Sequence, residues 1–231
     1  MKPYASPRAC AALAALILAL QGAAAQADGP WPSKPVRVIM PFAAGGSSDL
    51  VGRQVAQSLS AHYGQQFVAE NRAGAGGNIG VDAVAKSAPD GYTLGIGTSG
   101  PLANNKSLYH PMPFDAEKDL TPIALVGEIP VVIAVNPSVK ANTLAEFVAL
   151  SKSSANAVTV SNPGNGTIGH LATEYLGIQT GAKLQPVPYK GDSPAMVDAM
   201  SGSVAAVVAP VTSLIPNIQA NKLRALAVMS K

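Results

Sequence analysis

Between Val36 and Tyr63 the chain reads VRVIMPFAAGGSSDLVGRQVAQSLSAHY, and that stretch leaves few ways to fold. Val36, Val38 and Ile39 are the β-branched residues of a buried strand. Phe42-Ala43-Ala44-Gly45-Gly46-Ser47-Ser48 supplies a tight turn, and Leu50, Val51, Val55 and Leu59 then recur as the apolar face of a helix. Gly64 stands where a left-handed cap stops it. A strand, a glycine-rich turn and a helix N-terminus leave several backbone N–H groups without helical partners, aimed at one spot. Donors and helix dipole both favour negative charge there, so the turn is a candidate site for a small carboxylate.

The first 27 residues read as a cleaved secretory signal. Lys2 and Arg8 give a positive start, Ala11 to Leu20 is an apolar run, and Ala25-Gln26-Ala27 fits a small-x-small cleavage site. The run is short of the roughly 20 residues a membrane-spanning helix needs. Removing 27 of 231 residues leaves 204, room for one large or two modest domains. Two of the 16 basic residues go with the leader, which leaves 14 against 13 acidic ones. The pI near 9.0 is therefore partly the leader's, and the scattered Lys and Arg exclude nucleic acid as the partner. Cys10, the only cysteine, lies in the leader, so disulfides, thiolate nucleophiles and cysteine metal sites are excluded together.

Strand, turn and helix then alternate. Gln66 to Asn71 is a strand, Ile79 to Ser87 a short helix, Tyr92 to Thr98 a strand, and Pro101 opens a helix reaching Leu108. Two β-rich runs follow, Ile123 to Val126 and Val131 to Val135. Thr143 and Glu146 form a capping box for a helix ending near Ser153. Strands are expected at Val158 to Asn162, Gln185 to Tyr189, Val204 to Ala209 and Leu223 to Met229, with helices from Ile168 to Leu176 and around Pro194. The fold class is α/β, with a largely parallel sheet covered on both faces, in two halves joined near Gly127 to Pro130. Ligands of open α/β sheets sit beyond the carboxyl ends of strands, where strand order reverses. That singles out Phe42 to Ser48 with Thr98 to Pro101 in the first half. In the second half it singles out Asn162 to His170 with Lys190 to Ser193.

Five segments in order, PFAAGGSSD, ENRAGAGGNIG, PDGYTLGIGTSG, NPGNGTIGH and YKGDSPAMVDAMSG, resemble the Bug family, the substrate-binding receptors of tripartite tricarboxylate transporters. The resemblance covers essentially all of the chain after its leader. It implies a two-lobed (type II-like) periplasmic binding protein, 28–128 and 129–231, which captures a small carboxylated metabolite between its lobes and hands it to membrane permease subunits. It implies no cofactor, no metal and no catalytic residue, and a monomer. By motif match the ligand contacts fall on Phe42, Ala43, Gly45, Gly46, Ser47, Ser48 and Asp49, on Gly164, Asn165, Thr167 and His170, and on Lys190 and Asp192; Thr98 and Ser99 join them as hydroxyl donors at a strand end. Family members continue past Lys231 with a further strand and closing helices. The expectation is either a fragment or a first lobe without its return segment, which would leave backbone donors unpaired.

Each residue also has an ordinary structural reading. A carboxylate at Asp49 suits a helix start but repels a bound anion, so its expected role is to fix the turn. His170 is either a hydrogen-bonded structural histidine or a ligand contact, Lys190 an exposed lysine or a charge for an acid, and Ser99 a donor or a helix cap. Gly74-Ala75-Gly76-Gly77 is not a dinucleotide fingerprint, because the spacing would need glycine where Ile79 stands. An exported hydrolase is the alternative, built from Ser47, Ser48, Asp49 and His170. It lacks a G-x-S-x-G elbow, and His62, His110 and His170 have no metal-site spacing. A receptor read by a signalling partner instead of a transporter is the remaining reading.

Overall fold

The computed structural model describes residues 30–229; the leader at 1–27 lies outside the described residues. Alternation gives two units of strands and helices. The first holds β1 (Val36–Met40), α1 (Ser47–Tyr63), β2 (Phe67–Asn71), α2 (Asn78–Ala85), β3 (Thr93–Gly95) and the single turn α3 (Ser99–Leu102). The second holds β4 (Val131–Val135), α4 (Leu144–Ser153), β5 (Val158–Asn162), α5 (Ile168–Thr180), β6 (Leu184–Pro188), α6 (Asp192–Ser201), β7 (Ala206–Pro210), α7 (Val211–Gln219) and β8 (Arg224–Met229).

The strands form two sheets. In the first, β1 lies between β2 and β3, parallel to both, with Val38 opposite Ala69 and Leu94. In the second the order is β6-β5-β7-β4-β8; β5 runs parallel to β6 and β7, whereas β4 is antiparallel to both β7 and β8. The largely parallel sheet expected from sequence is thus mixed in its second half. Residues alternate across β4: Val131, Ile133 and Val135 pack with Phe147 of α4 on one face, and Val132 and Ala134 pack with Ala195, Ala199 and Leu214 on the other. Both faces are covered, which is why β4 is apolar throughout.

Helix α1 seats on its sheet differently from its apolar pattern. Its buried face is Ser48, Asp49, Gly52 and Ala56, while Leu50 is 49% exposed. Gly52 explains the seat: a Cβ there would stand 2.7 Å from Met40 Cγ and 3.0 Å from Ile96 Cγ1. Small residues spaced by four let the helix lie against β1, which turns the larger Leu50 outward. Gly64 ends the helix at φ 67°, donating its N–H to Ser60 O.

Three other expectations change. Ile123 and Leu125 are 79% and 80% exposed and belong to neither sheet, because apolar β-formers make a strand only where a neighbouring strand pairs with them. The helix expected from Pro101 to Leu108 breaks at Ala103 into α3 and a 3₁₀ turn over Asn104–Ser107. Helix α7, absent from the sequence reading, follows β7 directly.

Candidate functional site

In the first sheet strand order reverses at β1, and in the second at β5. The loops after β1, β3, β5 and β7 are therefore the ones that flank the two switch points. The sequence reading chose the loop after β6 in place of the one after β7, having no element at α7.

The turn after β1 is held from within by Asp49. Its carboxylate accepts from Gly45 N at 3.0 Å, Arg53 Nε at 2.9 Å and Asn71 Nδ2 at 2.8 Å. Asn71 Nδ2 also donates to Phe42 O, and Arg53 Nη2 to Asn71 Oδ1. Burial works to raise the Asp49 pKa. Arg53, Gly45 N–H and Asn71 outweigh it and hold the carboxyl below its usual range.

The head of α1 holds a carboxylate already, and it comes from the other sheet. Asp192, 5% exposed and the first residue of α6, accepts at Oδ2 from Ser47 N at 2.7 Å and from the Ser47 hydroxyl. Beside it Ala43 N donates to Lys190 O at 2.9 Å. Gly191 (φ 145°) fits between these contacts; a Cβ there would stand 2.9 Å from Ala43 N. Burial pushes the Asp192 pKa up, against the opposing bonds from Ser47 and Ser213. The carboxylate lies between the N-termini of α1 and α6, where both dipoles favour it.

A second seam joins the loops after β2 and β3 to the loop after β5. Tyr109 OH donates to Asn165 O (3.2 Å), and Asn104 Nδ2 to Gly166 O (3.3 Å). Asn105 Nδ2 donates to Gly76 O and Asn78 Oδ1. The seam admits no side chain: a Cβ on Gly76 would stand 2.1 Å from Asn165 O. Asn105 Oδ1 in this seam, Thr98 Oγ1 after β3 and Asn162 Nδ2 at the end of β5 are buried without a hydrogen-bond partner among the described residues. Such groups are costly unless something pairs with them.

The structure sorts the residues singled out from sequence. Phe42 is buried and faces Gly77 and Gly191, and Ser48 is buried in the α1 seat. Of the N–H groups in the turn, those of Ala43, Gly45 and Ser47 are bonded within the protein. Gly46 is the α1 N-cap; a Cβ there would meet Asp192 Oδ2 at 3.2 Å. Thr98 caps α3 by position and Ser99 is exposed as its first residue. Gly164 and Asn165 lie in the second seam, and Thr167 caps α5. His170 Nδ1 accepts from Gly166 N at 3.3 Å, and its Nε2 lies 3.8 Å from Glu174 Oε1, which is the structural reading. The Lys190 side chain is exposed. Sequence reasoning missed Asn71, Asn105, Tyr109, Asn162 as a side chain, and Ser213. Amides and hydroxyls carry no spacing signal; only their place at strand ends marks them. A cavity of about 370 Å³ lined by Asn78, Ile79, Asp82, Tyr109 and Pro111 lies outside the residues expected.

Residues 51–231 match the family described as the tripartite tricarboxylate transporter family receptor, TctC. This chain belongs to that family. It is 40% identical to the protein BugT of Bordetella pertussis over 95% of its own length and 68% of the relative's. Among solved structures it is similar to the R. palustris protein Rpa4515 with adipate (TM-score 0.84, 35% identity) and to the periplasmic binding protein BugD (TM-score 0.82, 34% identity). Each likeness covers 87% of this chain and 67% of the other. The chain thus spans about two thirds of the length of the relatives it matches. Within the TctC family its fold is that of the two-lobed α/β solute-binding receptors, and the relatives matched are binding proteins, not enzymes.

Proposed function

We propose that this receptor captures a small carboxylated metabolite between its lobes, in the periplasm, and delivers it to the membrane subunits of a tripartite tricarboxylate-type transporter. The observation that carries the reading is the meeting of strand-end loops from both sheets around buried polar groups without partners, Thr98 Oγ1, Asn105 Oδ1 and Asn162 Nδ2. A ligand that binds there touches both lobes and so favours their closed arrangement. The lobes divide near residues 128 and 129, with the connection at Gly127 to Pro130 as the hinge, and the receptor works as a monomer. Adipate in a 35% identical relative supports a carboxylate as the ligand class.

The test is a thermal-shift titration of the purified protein with adipate, a panel of other small mono-, di- and tricarboxylates, and the corresponding amides. A melting temperature that rises with acid concentration and stays fixed with the amide is the expected result. A cooperative transition that no acid on the panel shifts would overturn the carboxylate reading.

A further inference from the structure

We infer that Asp192 is a latch between the lobes: its carboxylate takes the place of a ligand anion at the head of α1 and sets how readily the lobes stay together. The latch is made of three adjacent contacts on one short segment. Lys190 O accepts from Ala43 N, Gly191 packs against Ala43 and Phe42, and Asp192 accepts from both donors of Ser47. Segment 190–192 belongs to the lobe of the five-stranded sheet, and segment 42–47 to the other, so the contacts exist only while the lobes touch.

Charge makes the latch conditional. Among the described residues Asp192 forms no ion pair. The Asp49 carboxylate of the same turn is engaged by Arg53, and the Lys190 side chain is exposed. The buried carboxylate is therefore offset by the two hydrogen bonds from Ser47 and by two helix N-termini. Parting the lobes removes the Ser47 donors but returns the carboxylate to water. A ligand that touches both lobes then biases which arrangement is held.

A consequence for specificity rests on the receptor reading given above. While the latch is made, both donors of Ser47 are bonded to Asp192 and a ligand carboxylate cannot use them. The turn after β1 positions the lobes, and Asp192 is a positioning residue.

Small-angle scattering of the unliganded protein tests the latch without any ligand, and adipate titration tests its effect on binding. Asp192→Ala removes both Ser47 bonds and is expected to enlarge the radius of gyration of the free protein and to weaken adipate binding about tenfold. Asp192→Asn, which keeps an acceptor oxygen for Ser47, restores most of both. Unchanged scattering in a folded Asp192→Ala variant would overturn the latch, and tighter adipate binding would make Asp192 a competitor of the ligand instead. If Asp192→Ala does not fold, Ser47→Ala removes one donor only and must still enlarge the free protein. If adipate binds neither form, the carboxylate reading fails on that probe while scattering still decides the latch.

Discussion

Asp49 and Asp192 show how two carboxylates at one helix terminus come to opposite states. Asp49 has a guanidinium, an amide and a backbone N–H around it, and its pKa falls despite burial; Asp192 has donors but no cation, and its pKa rises. The stability that Asp49 supplies is fully present above its ordinary value of 3.8 and is lost as pH falls through its lower folded value. Asp192 acts in the other direction: its contribution is full below 3.8 and is lost as pH rises through its raised folded value. Denaturant midpoints measured across acid pH are expected to show a weaker acid decline in Asp49→Asn and a weaker decline above pH 3.8 in Asp192→Asn. At neutral pH, Asp49→Ala costs about 2 kcal/mol of unfolding free energy, because it leaves Gly45 N–H and Asn71 without their acceptor. A change below about 0.5 kcal/mol would mean that water replaces the carboxylate there.

Elements follow local rules where their packing does not compete. Thr143 Oγ1 accepts from Glu146 N at 3.1 Å, while Glu146 Oε2 reaches back to Asn142 N, one residue before the position a capping box names. Thr143→Ala is expected to lower stability by about 1 kcal/mol, read as a shifted denaturant midpoint with unchanged slope. Helix α1 shows the other case, in which close packing on β1 at Gly52 and Ala56 decides which face is buried. Gly52→Val forces Met40 and Ile96 aside and is expected to cost about 2 kcal/mol. Little effect would mean that Met40 repacks freely. In the second core, Phe147, fully buried between α4 and its sheet, is expected to lose about 4 kcal/mol as Phe147→Ala.

At the scale of the molecule, loops from the two sheets meet along glycine-lined seams. Gly76→Val puts a branched side chain against Asn165 O and at a left-handed φ of 62°, so it is expected to part the lobes and abolish adipate binding while the far-ultraviolet spectrum is kept. Binding at normal affinity would place the ligand away from this seam. Much of the molecule was legible in the chain. Most of the order of strands and helices follows from periodicity, the helix stop at Gly64 from backbone sterics, and the family from five motifs in register, whereas the helix expected to end at Leu176 runs on to Thr180. These are local properties, fixed by neighbours a few residues apart. What tertiary structure alone decided is which groups meet across 145 residues of sequence, such as Ser47 with Asp192. It decided that β4 enters its sheet antiparallel, that Ile123 to Val126 pairs with neither sheet, and that Gly45 N–H and Ser47 N–H of the first turn bond to Asp49 and Asp192. The sequence determined that residues 42–49 would make a helix terminus suited to an anion. Only the packing of one lobe on the other decided that the anion there is Asp192, because a helix N-terminus attracts whichever carboxylate the fold brings within reach.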